Sequence, residues 1–189
     1  MPALNRQFIY SAVERFDPAC GQRWQDFIKW SGLTHLREVV SLDTILCPTI
    51  FEELSDEDWQ HNVHEDYKLH LFRDLEYVLD RVAGNGRAAV LTLMRNPTYE
   101  ELRSFSDDRF VFRGFDFMDL QGGNSALVNC GGFPDAFSSA ELSDCGLLSE
   151  HAKALQIQKT LRTEHPGEFD ADCDVWAIWQ WKVNLRYVE

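Results

Sequence analysis

Alternation near the carboxyl end constrains this chain more than any other feature. From Val175 every second residue is apolar, through Ala177, Trp179, Trp181, Val183, Leu185 and Tyr187. A period of two belongs to a β-strand, because successive side chains leave opposite faces of the pleat. The intervening positions start apolar at Trp176 and Ile178 and turn polar at Gln180, Lys182, Asn184 and Arg186. One face is therefore expected to be buried throughout and the other only at its start.

A second strand is expected from Arg109 to Leu120, where the phenylalanines change parity. Phe110 and Phe112 hold even positions, Phe115 and Phe117 odd ones, and Gly114 lies between them. One extra residue in a strand reverses its facing, and glycine is the residue that tolerates such a bulge best. The bulge would put all four rings on one side of the sheet. Gln121-Gly122-Gly123-Asn124 reads as a hairpin turn into an antiparallel strand from Ser125 to Cys130. Ala88 to Met94, apolar at both parities, suits a central strand covered on both faces, and a short strand is expected at Glu38 to Leu42.

Helices are marked by caps and by spacings of three and four. Asp17-Pro18 and Gly32 bracket a helix over 18–31 that carries Trp24, Phe27, Ile28 and Trp30. Cys47-Pro48 is expected to open a brief helical turn. Ser55 with Asp58 resembles a capping box, and beyond it Trp59, Val63, Tyr67, Leu71, Leu75, Val78 and Val82 form an apolar stripe. That stripe predicts one helix of about seven turns, ended by Gly84-Asn85-Gly86. Shorter helices are expected over Thr98 to Phe105 and Ser138 to Ser143, and a longer one from about Ser149 to Glu164 with Ala154, Ile157 and Leu161 inward.

Together these elements predict a single α+β domain over 1–189: a mainly antiparallel sheet of four or five strands covered by about three principal helices. At 189 residues and 44% hydrophobic, the chain can bury one sizeable core. Cys20, Cys47, Cys130, Cys145 and Cys173 are irregularly spaced and include no C-x-x-C pair, which fits reduced thiols in a cytoplasmic protein. No apolar run approaches the roughly twenty residues that span a bilayer.

The formal charge is −13, from 31 acidic and 18 basic residues. Such a chain repels phosphate backbones and anionic membranes, so neither nucleic acid nor membrane is an expected partner. A basic protein would instead be drawn in by long-range attraction. The contact is expected at one of two acidic clusters, Glu52, Glu53, Asp56, Glu57 and Asp58, or Asp170, Asp172 and Asp174.

Chemistry-bearing patterns are sparse. On one long helix, Glu57, His61, His64 and Glu65 would share a flank, but their order matches no zinc-peptidase arrangement, and a solvated face explains them. Asp170, Asp172 and Asp174 alternate as a calcium loop begins, yet Val175 and Trp181 stand where that loop needs glycine and glutamate. Cys130 precedes Gly131-Gly132 without the signature of a cysteine phosphatase, caspase or papain-like protease. No cofactor and no metal are expected. Six tryptophans are many for this length, and an aromatic cleft, with Asp116 and Asn129 as polar groups, is the remaining possibility for a site.

Two functional classes follow. The first is a non-catalytic acidic binding protein that sequesters a basic partner, by analogy with small immunity and inhibitor proteins. The second is a small enzyme or ligand-binding domain whose site is assembled from distant residues, with His61, His64 or Cys130 taking part.

Overall fold

Seven strands among the described residues form one antiparallel, curled sheet in the order β2-β3-β1-β4-β7-β5-β6. They are β1 (Ile9–Glu14), β2 (Val63–Asp66), β3 (His70–Phe72), β4 (Ala88–Arg95), β5 (Phe110–Asp119), β6 (Asn124–Ser125) and β7 (Asp174–Trp181). The α-helices are α1 (Gln22–Ser31), α2 (Asp56–His61), α3 (Leu75–Arg81), α4 (Tyr99–Ser104) and α5 (His151–Glu164). This computed structural model describes residues 8–51, 54–66, 70–119, 123–128, 137–164, 166–167 and 169–182. The mixture of helix and antiparallel sheet agrees with expectation. The expected four or five strands and three helices do not, since there are seven strands and five α-helices.

The largest correction falls between Ser55 and Val82. Instead of one long helix, the chain makes α2, turns through the β2–β3 hairpin and starts again as α3. Ser55 caps α2 through a capping box with Asp58, as its spacing suggested. The apolar stripe breaks because β1 needs a partner on its free side: Tyr10 pairs with Phe72, and Leu71 and Phe72 are fully buried there. Asp74 then accepts hydrogen bonds from the amides of Glu76 and Tyr77, which starts a new helix.

Smaller corrections share one cause, local geometry that propensity does not report. Asp17 and Pro18 open only a 3-10 turn, and α1 begins after Gly21, whose φ of +60° breaks the continuity. Gly32 ends α1 in the left-handed conformation, as expected. Residues 38–42 form no strand but touch β1's extension through the single bridge Phe16–Val39, and Thr49 bridges Val13 where a helical turn was expected. β6 stops at Ser125, and Cys130 lies outside the described residues.

β5 carries the expected bulge, and its main partner is β7. Phe110, Phe112, Phe115 and Phe117 lie opposite Trp181, Trp179, Ala177 and Val175, with the shift between Phe112 and Gly114. Directly opposed residues share a face, so the bulge does align the four rings. Because β7 runs between β4 and β5, both of its faces are buried as far as Gln180, two residues beyond the apolar pattern. Helical cover meets the phenylalanine face: Phe105, just after α4, lies on Trp179 at 4.5 Å between ring centroids, and His151 of α5 lies on Phe115 at 5.4 Å. On the opposite face, Ser41 reaches Asp116 and Met118.

Candidate functional site

The bulge in β5 organises two depressions. Its glycine, Gly114, has φ +140°, and a side chain there would meet the Leu148 carbonyl oxygen at 2.6 Å. That close approach lets Phe115 and Leu148 exchange backbone hydrogen bonds of 2.8 and 3.0 Å. Residues 148–151 are thereby held beside the strand, and α5 starts against its phenylalanine face.

The first depression is an aromatic groove of about 260 Å³ between α4, the bulge and the start of α5. Tyr99, Leu102, Phe112, Phe115, Ser149, His151 and Trp179 line it. Thr98 and Glu101 form a capping box that fixes α4, so Tyr99 projects from its first turn. Tyr99 remains 60% exposed and Phe112 43%, whereas Phe115 and Trp179 are buried beneath them. Phe112 packs on both Phe115 and Trp179 with centroids 5.2 Å away. The imidazole of His151 is oriented by a 2.9 Å contact of Nε2 with the Pro97 carbonyl oxygen. Glu100 and Glu150, neighbours of lining residues, are exposed beside it.

The second depression, about 390 Å³, is lined by Arg15, Glu38, Val111, Arg113, Gln180, Trp181 and Lys182. Arg113 is the residue inserted by the bulge. Both Arg113 and Arg15 bind the carboxylate of Glu38, Arg15 at 3.5 Å.

Asp116, singled out as a polar residue within an apolar strand, belongs to neither depression. It is fully buried and accepts hydrogen bonds from Ser41 Oγ at 2.5 Å, Ser125 Oγ at 2.6 Å and the Phe117 amide at 2.8 Å. Asp43 lies close by and accepts from the amides of Ile45, Leu46 and Ser125. Burial pushes the Asp116 carboxyl up to about 7, and Asp43 adds to the rise, against the hydrogen bonds that oppose it. These four residues tie the 41–46 loop to β5 and β6, and with no exposed atoms they have no route to a substrate. Burial also pushes the Cys47 thiol up, which makes it a poor nucleophile.

The acidic clusters are only partly available. Asp56 and Glu57 are exposed in the first turn of α2, but Asp58 is engaged in the capping box, where the Ser55 amide and hydroxyl hold its carboxyl down at about 2. Asp172 is exposed, while Asp174 is held by Arg95 at 2.5 Å, by Asn96 at 2.6 Å and by Arg162 at 3.8 Å. Asp170 falls in the 3-10 turn Phe169–Asp172, and Glu52, Glu53, Asn129 and Cys130 lie outside the described residues. His61 ends α2 and His64 sits in β2, so Glu57, His61, His64 and Glu65 do not share a helix flank. Among the described residues no group of three or more His, Cys, Asp or Glu is placed to hold a metal ion, and no helix is long and apolar enough to cross a membrane.

No family model matches this chain, and neither a curated protein nor a solved structure matches it. Sequence reasoning raised an aromatic cleft only as a possibility, with Asp116 and Asn129 as its polar groups, and missed Tyr99, Ser149 and His151, which line the groove. One signal pointed there: the parity change at Gly114 puts Phe112 and Phe115 on one face, and the β5–β7 register then sets Phe112 opposite Trp179.

Proposed function

We propose that this is a non-catalytic acidic binding protein that captures a basic partner, and that the aromatic groove anchors it. The observation that carries this reading is the half-open cluster of Tyr99 and Phe112 over buried Phe115 and Trp179. Aromatic rings that are rigidly supported yet accessible bind an apolar or aromatic side chain with little loss of conformational entropy. Glu100 and Glu150 at the margin, within a chain of charge −13, favour lysine and arginine next to that anchor. Asp56, Glu57 and Asp172 add to the long-range attraction rather than to the contact.

The test uses isotope-labelled protein and two short peptides, one alternating lysine with leucine and one alternating glutamate with leucine. The lysine peptide should shift the amide resonances of Tyr99, Phe112 and Ser149, the glutamate peptide should not, and Phe112→Asp should abolish the effect. Equal responses to both peptides, or shifts confined to other parts of the surface, would overturn the proposal.

A further inference from the structure

In an acidic protein, the depression lined by Arg15, Arg113 and Lys182 is cationic. Three cations face one carboxylate, Glu38. Two carboxylates outside the lining are paired with other arginines, Asp107 with Arg109 at 2.7 Å and Asp144 with Arg37 at 3.7 Å. We infer that this pocket is a binding site for a small oxyanion, a carboxylate or phosphate group, seated between the two guanidinium groups.

Geometry supports the inference in three ways. Arg15 and Arg113 come from different elements, one following β1 and the other inserted by the β5 bulge, and they converge on the same point. Their side chains are recessed, 31% and 23% exposed, so their charge is less screened than that of a surface lysine. Each guanidinium also has more donors than Glu38 can satisfy. The Nε–H groups of both arginines are buried without an acceptor among the described residues. An arginine offers five N–H donors in a planar fork, the geometry that suits carboxylate and phosphate oxygens. An ion pair built only to tie the bulge to residue 38 would need one arginine. The second leaves more positive charge in the lining than Glu38 offsets, and Lys182, whose ammonium donates to the Asp108 carbonyl oxygen, adds to it.

Val111 and Trp181 give the pocket an apolar wall, and Gln180 a neutral amide. The ligand is therefore an oxyanion attached to a small apolar body rather than a free polyanion. Glu38 occupies the place of the ligand's charge: it holds the arginines apart from solvent when the pocket is empty and competes with the anion when it fills. The site shares no lining residue with the aromatic groove.

The experiment follows the arginine Nε–H and tryptophan Nε1–H resonances of labelled protein while phosphate, acetate or chloride is added at matched ionic strength. Saturable shifts at Arg15, Arg113 and Trp181 are expected with phosphate or acetate and not with chloride. The tighter of the two identifies whether the natural ligand carries a phosphoryl or a carboxylate group. Glu38→Gln should tighten binding by about tenfold, because a competing charge a few ångström away is removed, and Arg113→Gln should weaken it at least as much. Lys182→Ala, an exposed change that leaves the fold intact, should weaken binding by about threefold and keeps the test valid if either pocket variant fails to fold. Shifts of equal size with chloride, or none at either arginine with any anion, would overturn the proposal.

Discussion

Replacing Gly114 with alanine should be among the most damaging single changes in this protein. The residue sits at φ +140°, a region essentially reserved for glycine, so the backbone strain alone costs about 1–3 kcal/mol. An added Cβ would also lie 2.6 Å from the Leu148 carbonyl oxygen and 2.8 Å from Leu147 Cβ. Neither neighbour is the far end of a flexible side chain. Relief of the clash must push residues 147 and 148 away, which breaks the paired backbone hydrogen bonds between Phe115 and Leu148, each contributing about 0.5–1.5 kcal/mol. The sum is a loss of about 2–6 kcal/mol, a large part of the roughly 5–15 kcal/mol that holds a domain together. Gly84→Ala is the control, since Gly84 has φ +82° but nothing within 4 Å of the new Cβ, and its expected loss is about 1–2 kcal/mol. Urea titrations followed by circular dichroism would measure both. If Gly114→Ala costs no more than Gly84→Ala, the packing of 147–148 on the bulge does not hold the strand in the way described.

Three further expectations can be checked with the same methods. Trp179→Ala should cost about 3–5 kcal/mol in urea, because the indole is buried against Phe105 and Phe112 and leaves a cavity. Asp116 has its carboxyl raised on folding, so the stability it contributes is present below its ordinary value near 3.8 and is lost as the pH rises through about 7. Wild type should therefore lose a few kcal/mol relative to Asp116→Asn between about pH 4 and 7.5, and parallel urea curves across that range would refute the assignment. Asp174→Asn should lower stability by about 1–2 kcal/mol through its charge-assisted bonds with Arg95, whereas Asp172→Asn, at an exposed position, should change stability by less than about 0.5 kcal/mol.

The parts of the fold legible in the sequence were those where one strand's pattern meets a covered face. Alternation at Val175–Trp181 and the parity change at Gly114 located β7, β5 and their bulge, because burial of alternate positions leaves a direct trace. The stretch from Trp59 to Val82 misled because residues spaced by four and three also fall on buried positions of a helix, a hairpin and a second helix. What decides between them is the free side of β1, a tertiary demand that no local window contains. Asp74 was the available clue, an N-cap inside an apparent helix. Likewise Arg113 was visible beside Gly114, but Arg15 lies 98 positions before it, and their convergence on Glu38 depends on the registers of four strands, β1, β4, β7 and β5.

The last strand in chain order lies in the middle of the sheet, and this bears on how the protein is made. Until synthesis has passed Trp181, β4 and β5 have no bond to each other, and each presents an open edge to the crowded surroundings of the ribosome. The hairpin and β1 can assemble with β4 early, but β5, though tied to the 41–46 loop, joins that half of the sheet only when β7 slots between the two. Closure of the sheet thus waits on β7 and carries the long-range pairing that slows sheets of this kind. A nascent chain halted before residue 174 should be held by chaperones, and one extended past residue 182 released from them.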